Sequence, residues 1–171
     1  MEKKQTHLVY GLIAGVITVI ISLVLYLTGL MFKSNYLSMI SMIPFLIAVI
    51  LNAMAYSKAN DGFVTFGNVF GSCFKLSMIV ALVVVAWNII AIFALPEMKT
   101  RIMEMTRETM AKNPKLTDEQ IEMSMNITKK YWNTFAIAGA IFGMLFWGAI
   151  FSLIGGAVAK KKGEQPGMGG F

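Results

Sequence analysis

The stretch that decides the fold is Leu8 to Met31, LVYGLIAGVITVIISLVLYLTGLM, twenty-four residues without a charge. Wound as an α-helix it is about 36 Å long at ~1.5 Å per residue. The hydrocarbon core of a bilayer is about 30 Å thick, so the run crosses it with modest tilt. Lys3 and Lys4 precede it, as in a secretory leader. The apolar run is too long for a cleaved leader and no A-x-A site follows it, so an uncleaved first span is expected.

Three further runs repeat the pattern. Beyond the polar break Lys33-Ser34-Asn35, residues Leu37 to Tyr56 are again uncharged, which makes the first two helices an antiparallel pair. Pro44 lies inside this run. It lacks a backbone donor and crowds the carbonyl of Ile40, so a kink is expected. A turn follows at Asn60-Asp61-Gly62, residue types that tolerate positive φ. The third run extends from about Val69 to Leu95 with one charge, Lys75, and the fourth from Phe135 to Val158. The expected organisation is an N-terminal segment 1–7, a single four-helix transmembrane domain 8–162 and a disordered tail 163–171. The fold class is all-α, a polytopic membrane protein.

Between the third and fourth runs, residues 96–133 differ in kind. Lys99, Arg101, Arg107, Lys112, Lys115, Lys129 and Lys130 face six acids, Glu97, Glu104, Glu108, Asp118, Glu119 and Glu122, leaving +1. Pro96 suits a first helical turn, and Met98, Ile102, Met105 and Thr109 share one face of a helix reaching Ala111. Asn113-Pro114 ends it. Thr117 followed three residues later by Gln120 is a capping-box pattern that starts a second helix.

Composition agrees. The chain has 171 residues, 57% hydrophobic and only 14% charged, where soluble domains are nearer 25% charged. The net charge of +6 collects outside the apolar runs, which favours anionic lipid headgroups over nucleic acid as the partner. Cys73 is the single cysteine, which excludes an internal disulfide and a multi-cysteine metal site. Four spans place both termini on one side. Basic residues near the spans number six on that side and eight on the other. Discounting the charge-balanced loop puts both termini in the cytoplasm of a bacterial inner membrane under the positive-inside rule.

A charge inside a span is a functional candidate, so Lys75 stands first; its plainer role is to snorkel to the interface. Asn52 and Asn88 are intramembrane amides that need hydrogen-bond partners. G-x-x-x-G pairs occur at Gly11/Gly15, Gly67/Gly71 and Gly139/Gly143, with Gly148, Gly155 and Gly156 as further small positions. Such spacing lets backbones approach closely, within the bundle or between copies. Trp87, Trp132, Tyr36, Tyr56 and Tyr131 suit an interfacial belt, and Trp147 lies deeper. The solitary His7 is an interface residue, since a metal site needs several convergent ligands. Met98, Met103, Met105, Met110, Met123 and Met125 give the loop helices an adaptable apolar face. The sequence carries no nucleotide, zinc-protease or nucleophile-elbow motif and no acid in the four apolar runs, so no enzyme, no cofactor and no metal are expected.

The two-and-two arrangement of spans, the segment Asn60-Asp61-Gly62-Phe63-Val64-Thr65-Phe66-Gly67, Leu95-Pro96-Glu97 opening the charged loop, Leu116 to Ile121, and a Gly-rich last helix ending in lysines together resemble a bacterial (Bacteroidota) domain-of-unknown-function family, numbered four-one-nine-nine. The resemblance covers Leu8 to Lys162. It implies a four-helix integral membrane protein and an accessory role in envelope synthesis, and supplies no catalytic residue. The expected function is a non-enzymatic scaffold or accessory subunit of an envelope-related membrane complex; the alternative is a small lipid or solute transporter or channel built around Lys75, Asn52 and Asn88. Expected interaction positions are Asn60, Asp61, Gly62, Phe66, Gly67, Lys75 and Asn88. Expected partners are membrane lipids and either a membrane protein or a second copy of the chain.

Overall fold

A computed structural model describes residues 5–33 and 39–159. Lys3, Lys4, Asn35, Tyr36, Leu37, the lysines 160–162 and the tail 163–171 lie outside the described residues. Among those described, six α-helices follow in order: α1 Thr6–Leu27, α2 Ile43–Ala59, α3 Phe66–Ala94, α4 Pro96–Ala111, α5 Asp118–Lys130 and α6 Trp132–Val158. Short 3-10 turns cover Leu30–Phe32 and Ile40–Met42, the second leading into α2. Four helices are long and apolar enough to cross a membrane: Thr6–Leu27, Ile40–Ala59, Phe66–Ala94 and Trp132–Val158.

The chain is a multi-pass membrane protein. The most apolar window of each span is buried to between 22% and 33% only, and side chains such as Phe93 (80% exposed), Phe142 (72%) and Leu82 (70%) stand clear of the bundle. In water that surface would be strongly unfavourable; in lipid it is solvated.

Helix α3 is the hub, packing on α1, α2 and α6, and most extensively on α6. Phe45, Val49 and Ala53 of α2 meet Val69, Cys73, Leu76 and Val80 of α3 in a fully buried core. Phe45 packs edge-on to Phe151 of α6 at 5.1 Å between centroids. The Ser77 and Ser152 hydroxyls in this core find partners inside the bundle, as lipid requires. Ser77 donates to the Cys73 carbonyl (3.1 Å) and lies 3.4 Å from Ser152, which donates to the Gly148 carbonyl (2.6 Å).

Pro44 does not kink a helix interior. It occupies the first turn of α2, where its missing donor has no ladder partner in any case. The Ile40 carbonyl instead accepts the Ile43 N–H in the preceding 3-10 turn. Helix α2 ends in a Schellman arrangement: Gly62 N–H donates to Ser57 O (2.9 Å) and Asp61 N–H to Lys58 O (3.1 Å). Asp61 takes the left-handed position at φ 54° and Gly62 follows at φ 81°.

At the opposite end, α4 and α5 form a hairpin. The capping box is present, with Thr117 and Gln120 each accepting the other's backbone N–H (3.3 and 3.0 Å). Arg107 pairs with Glu122 across the hairpin. Two cations tie it to the bundle: Arg101 lies over the Phe32 ring at 5.8 Å and Lys99 over Trp132 at 6.0 Å.

Candidate functional site

A group of polar residues gathers at the end of the bundle where α1 begins, α2 ends and α3 begins. Asn52, on α2, is fully buried. Its Oδ1 accepts from the Thr6 hydroxyl at 2.7 Å, and its Nδ2 donates to Ser72 Oγ at 3.2 Å. One amide thus ties α1, α2 and α3 together. A buried amide in lipid needs such partners, because no water competes for its donors and acceptors.

Beside this network a cavity of about 480 Å³ opens between the three helices. Its polar lining comes from Gln5, His7, Tyr56, Asn68, Ser72 and Lys75, with Gly67 and Gly71 completing the wall. Helical geometry explains the grouping: Asn68, Gly71, Ser72 and Lys75 fall at three- and four-residue spacing on one face of α3. Lys75 is exposed along this wall. Among the described residues none that lines it is acidic. The arrangement supplies hydrogen-bond donors and positive charge and no metal ligand set; among the described residues no group of three or more His, Cys, Asp or Glu side chains converges on a metal position.

The depth of Lys75 follows from the length of α3. With 29 residues the helix is about 44 Å long, well beyond a ~30 Å hydrocarbon core. The twenty residues from Leu76 to Leu95 carry no charge and measure about 30 Å. A run of that length is enough to cross the core with Lys75 at its edge.

The other expected positions are scattered. The Asn60 side chain donates to the Tyr56 carbonyl at 2.8 Å and closes the end of α2. Asp61 and Gly62 border a second groove of about 740 Å³, with Lys58 at its mouth and Tyr10, Leu51, Met54 and Val158 along its walls. Phe66 starts a stacked ring ladder with Phe70 and Phe74, centroids 6.2 and 5.9 Å apart. Asn88 lies thirteen residues beyond Lys75, about 20 Å along the helix axis, and its amide folds back onto the Val84 carbonyl at 2.8 Å. It borders a separate cavity of about 210 Å³ under the hairpin, together with Lys99 and Trp132. Lys75, Asn52 and Asn88 therefore do not line one path.

The glycines divide. Gly11 and Gly15 pack α1 on α3: a Cβ on either would stand 3.0 Å from Ile79 Cβ or 2.8 Å from Val83 Cβ. Among the described residues Gly67, Gly71, Gly139 and Gly143 do not serve helix packing, since a Cβ on Gly67 would find its nearest atom at 3.9 Å and one on the other three would find none within 4 Å. The tight contacts of α6 fall instead at Gly148, against Ser77, at Gly155, against Cys73 and Val49, and at Gly156, against Phe66. Spacing alone does not say which face of a helix is covered. Gln5, Asn68 and Ser72 were not among the expected site residues, and the signal for two of them is their placement on the Lys75 face of α3.

A family described as "Protein of unknown function (DUF4199)" matches residues 9–161. No curated protein and no solved structure matches the chain.

Proposed function

The chain belongs to the DUF4199 family, and from that membership and the geometry above we propose that it is a non-enzymatic scaffold or accessory subunit of an envelope-related complex in the bacterial inner membrane. The observation that carries this reading is the α4–α5 hairpin. It is braced to the bundle through Arg101–Phe32 and Lys99–Trp132 and closed on itself by Arg107–Glu122. Glu104, Glu108, Lys112 and Glu119 are exposed, Glu104 and Glu108 beside Gly29 and Phe32. A braced helical pair bearing both signs of charge suits recognition of a charged protein surface, where complementarity sets register and specificity.

Both termini lie in the cytoplasm in this reading and the hairpin lies outside it. A reporter fused to the C-terminus is then active only if it works in the cytoplasm; activity restricted to the far side reverses the assignment.

The test of the scaffold reading is purification of the full chain in mild detergent. A stoichiometric membrane partner or a stable homo-oligomer is expected, and it dissociates when Glu104 and Glu108 are both changed to Lys. A strictly monomeric product, or an assembly indifferent to that change, overturns the reading. The transporter reading has less support, because Lys75 and Asn88 border separate cavities at opposite ends of α3.

A further inference from the structure

We propose that the cavity framed by Lys75, Ser72 and His7 is a phosphate-binding site at the membrane boundary. Four observations converge on it. The first is charge: among the described residues Lys75 is the one permanently charged side chain in the lining and no acid opposes it, and the remaining polar groups include the donors of Gln5, Asn68 and Tyr56. A phosphate accepts from several donors at once and is attracted by the ammonium, which acts as a point charge.

The second is Ser72. It is only 5% exposed, yet lines the cavity. Its oxygen accepts from Asn52, and among the described residues its own proton has no protein acceptor. A buried hydroxyl that leaves its donor unused is costly in lipid. An acceptor in the cavity satisfies it. Asn52 is itself held by Thr6, so Ser72 is oriented before any ligand arrives, and that lowers the ordering cost of binding.

The third is the wall. Gly67 and Gly71 border the cavity, and among the described residues no helix packs on them. Their small size leaves volume open without serving a helix contact, so the space lies beside the α3 backbone.

The fourth is depth. Leu76 to Leu95 are charge-free and as long as a hydrocarbon core is thick, and a register that fills the core with them sets Lys75 at the level of the leaflet phosphates. An anionic lipid headgroup and a free phosphate share the required chemistry, and the source is settled by experiment.

Full-length protein in mild detergent is incubated with dioleoyl phosphatidic acid, with dioleoylglycerol, which lacks the phosphate, or with inorganic phosphate. Retained lipid is counted by native mass spectrometry, and phosphate binding is followed by phosphorus NMR. Lys75→Met and Gly71→Leu are compared with wild type, and Gly139→Leu, an equally open glycine on another helix, is the control. Retention of phosphatidic acid but not of dioleoylglycerol, reduced at least tenfold by both cavity variants and unchanged in the control, supports the proposal with a lipid source. Binding of inorganic phosphate alone, with the same sensitivity, supports it with an aqueous source. Absence of binding by either, or binding indifferent to both variants, overturns it. If Lys75→Met fails to fold, Gly71→Leu decides the matter, since its side chain enters open space.

Discussion

Gly15 of α1 lies directly against Val83 of α3: a Cβ at Gly15 would be 2.8 Å from Val83 Cβ, closer than real Cβ atoms approach. The pair sets how near the two helices can come. Gly15→Leu is therefore expected to force α1 and α3 apart and to lower stability by about 1–3 kcal/mol, the usual cost of overpacking. Gly139→Leu, with nothing within 4 Å, should leave the melting temperature in detergent within error of wild type. Equal losses in the two variants would contradict the packing described above.

Asn52→Leu removes the amide that joins three helices. Interhelical hydrogen bonds in membranes contribute about 0.6–2 kcal/mol each, and Ser72 and Thr6 lose their partner as well. Unfolding followed in mixed micelles should show a loss of at least about 1 kcal/mol on that basis. Asn88→Leu should cost less, because its amide bonds only to its own helix.

Asp61→Gly should stabilise the protein. Asp61 sits at φ 54°, a region that costs a residue with a Cβ roughly 1–2 kcal/mol, while greater freedom of glycine in the unfolded chain offsets part of the gain. A net rise of about 0.5–1 kcal/mol in denaturant titration is expected from those two terms. A fall would mean that the Asp61 carboxylate makes an interaction of its own.

Within the hairpin the apolar contact should outweigh the ion pair. Arg107 and Glu122 are 60% and 52% exposed, and exposed pairs contribute about 0–1 kcal/mol. Ile121 is 6% exposed and is the buried residue of α5, and truncating a buried aliphatic side chain costs about 2–5 kcal/mol. Hydrogen exchange over 118–130 should rise sharply in Ile121→Ala and little in Glu122→Gln. The reverse order would assign the hairpin's cohesion to charge.

The four spans were legible because a charge-free run longer than the bilayer core leaves one solution, a helix in lipid. Pro96 and the Thr117–Gln120 box were legible because caps are local chemistry. The cavity was not. Its members come from three helices, and His7 and Tyr56 give no sign in sequence that they face Lys75. The glycine pairs divide for a related reason: a four-residue interval puts two glycines on one face but leaves open whether a neighbour in the same chain covers it. Gly11 and Gly15 meet α3, while Gly139 and Gly143 meet no other helix. Pro44 was placed mid-helix because apolar residues precede it, although the regular α-helix begins only at Ile43.

The hairpin is joined to the membrane spans by one residue on each side. Leu95 alone separates α3 from α4, and Tyr131 alone separates α5 from α6. Such short joints leave little slack. The arm is about 24 Å long, so a tilt of roughly 10° in its supporting helices swings its tip by about 4 Å. Spans tilt to match bilayer thickness, and with joints of one residue a tilt of α3 or α6 is carried into the arm, as a turned shaft carries its pointer.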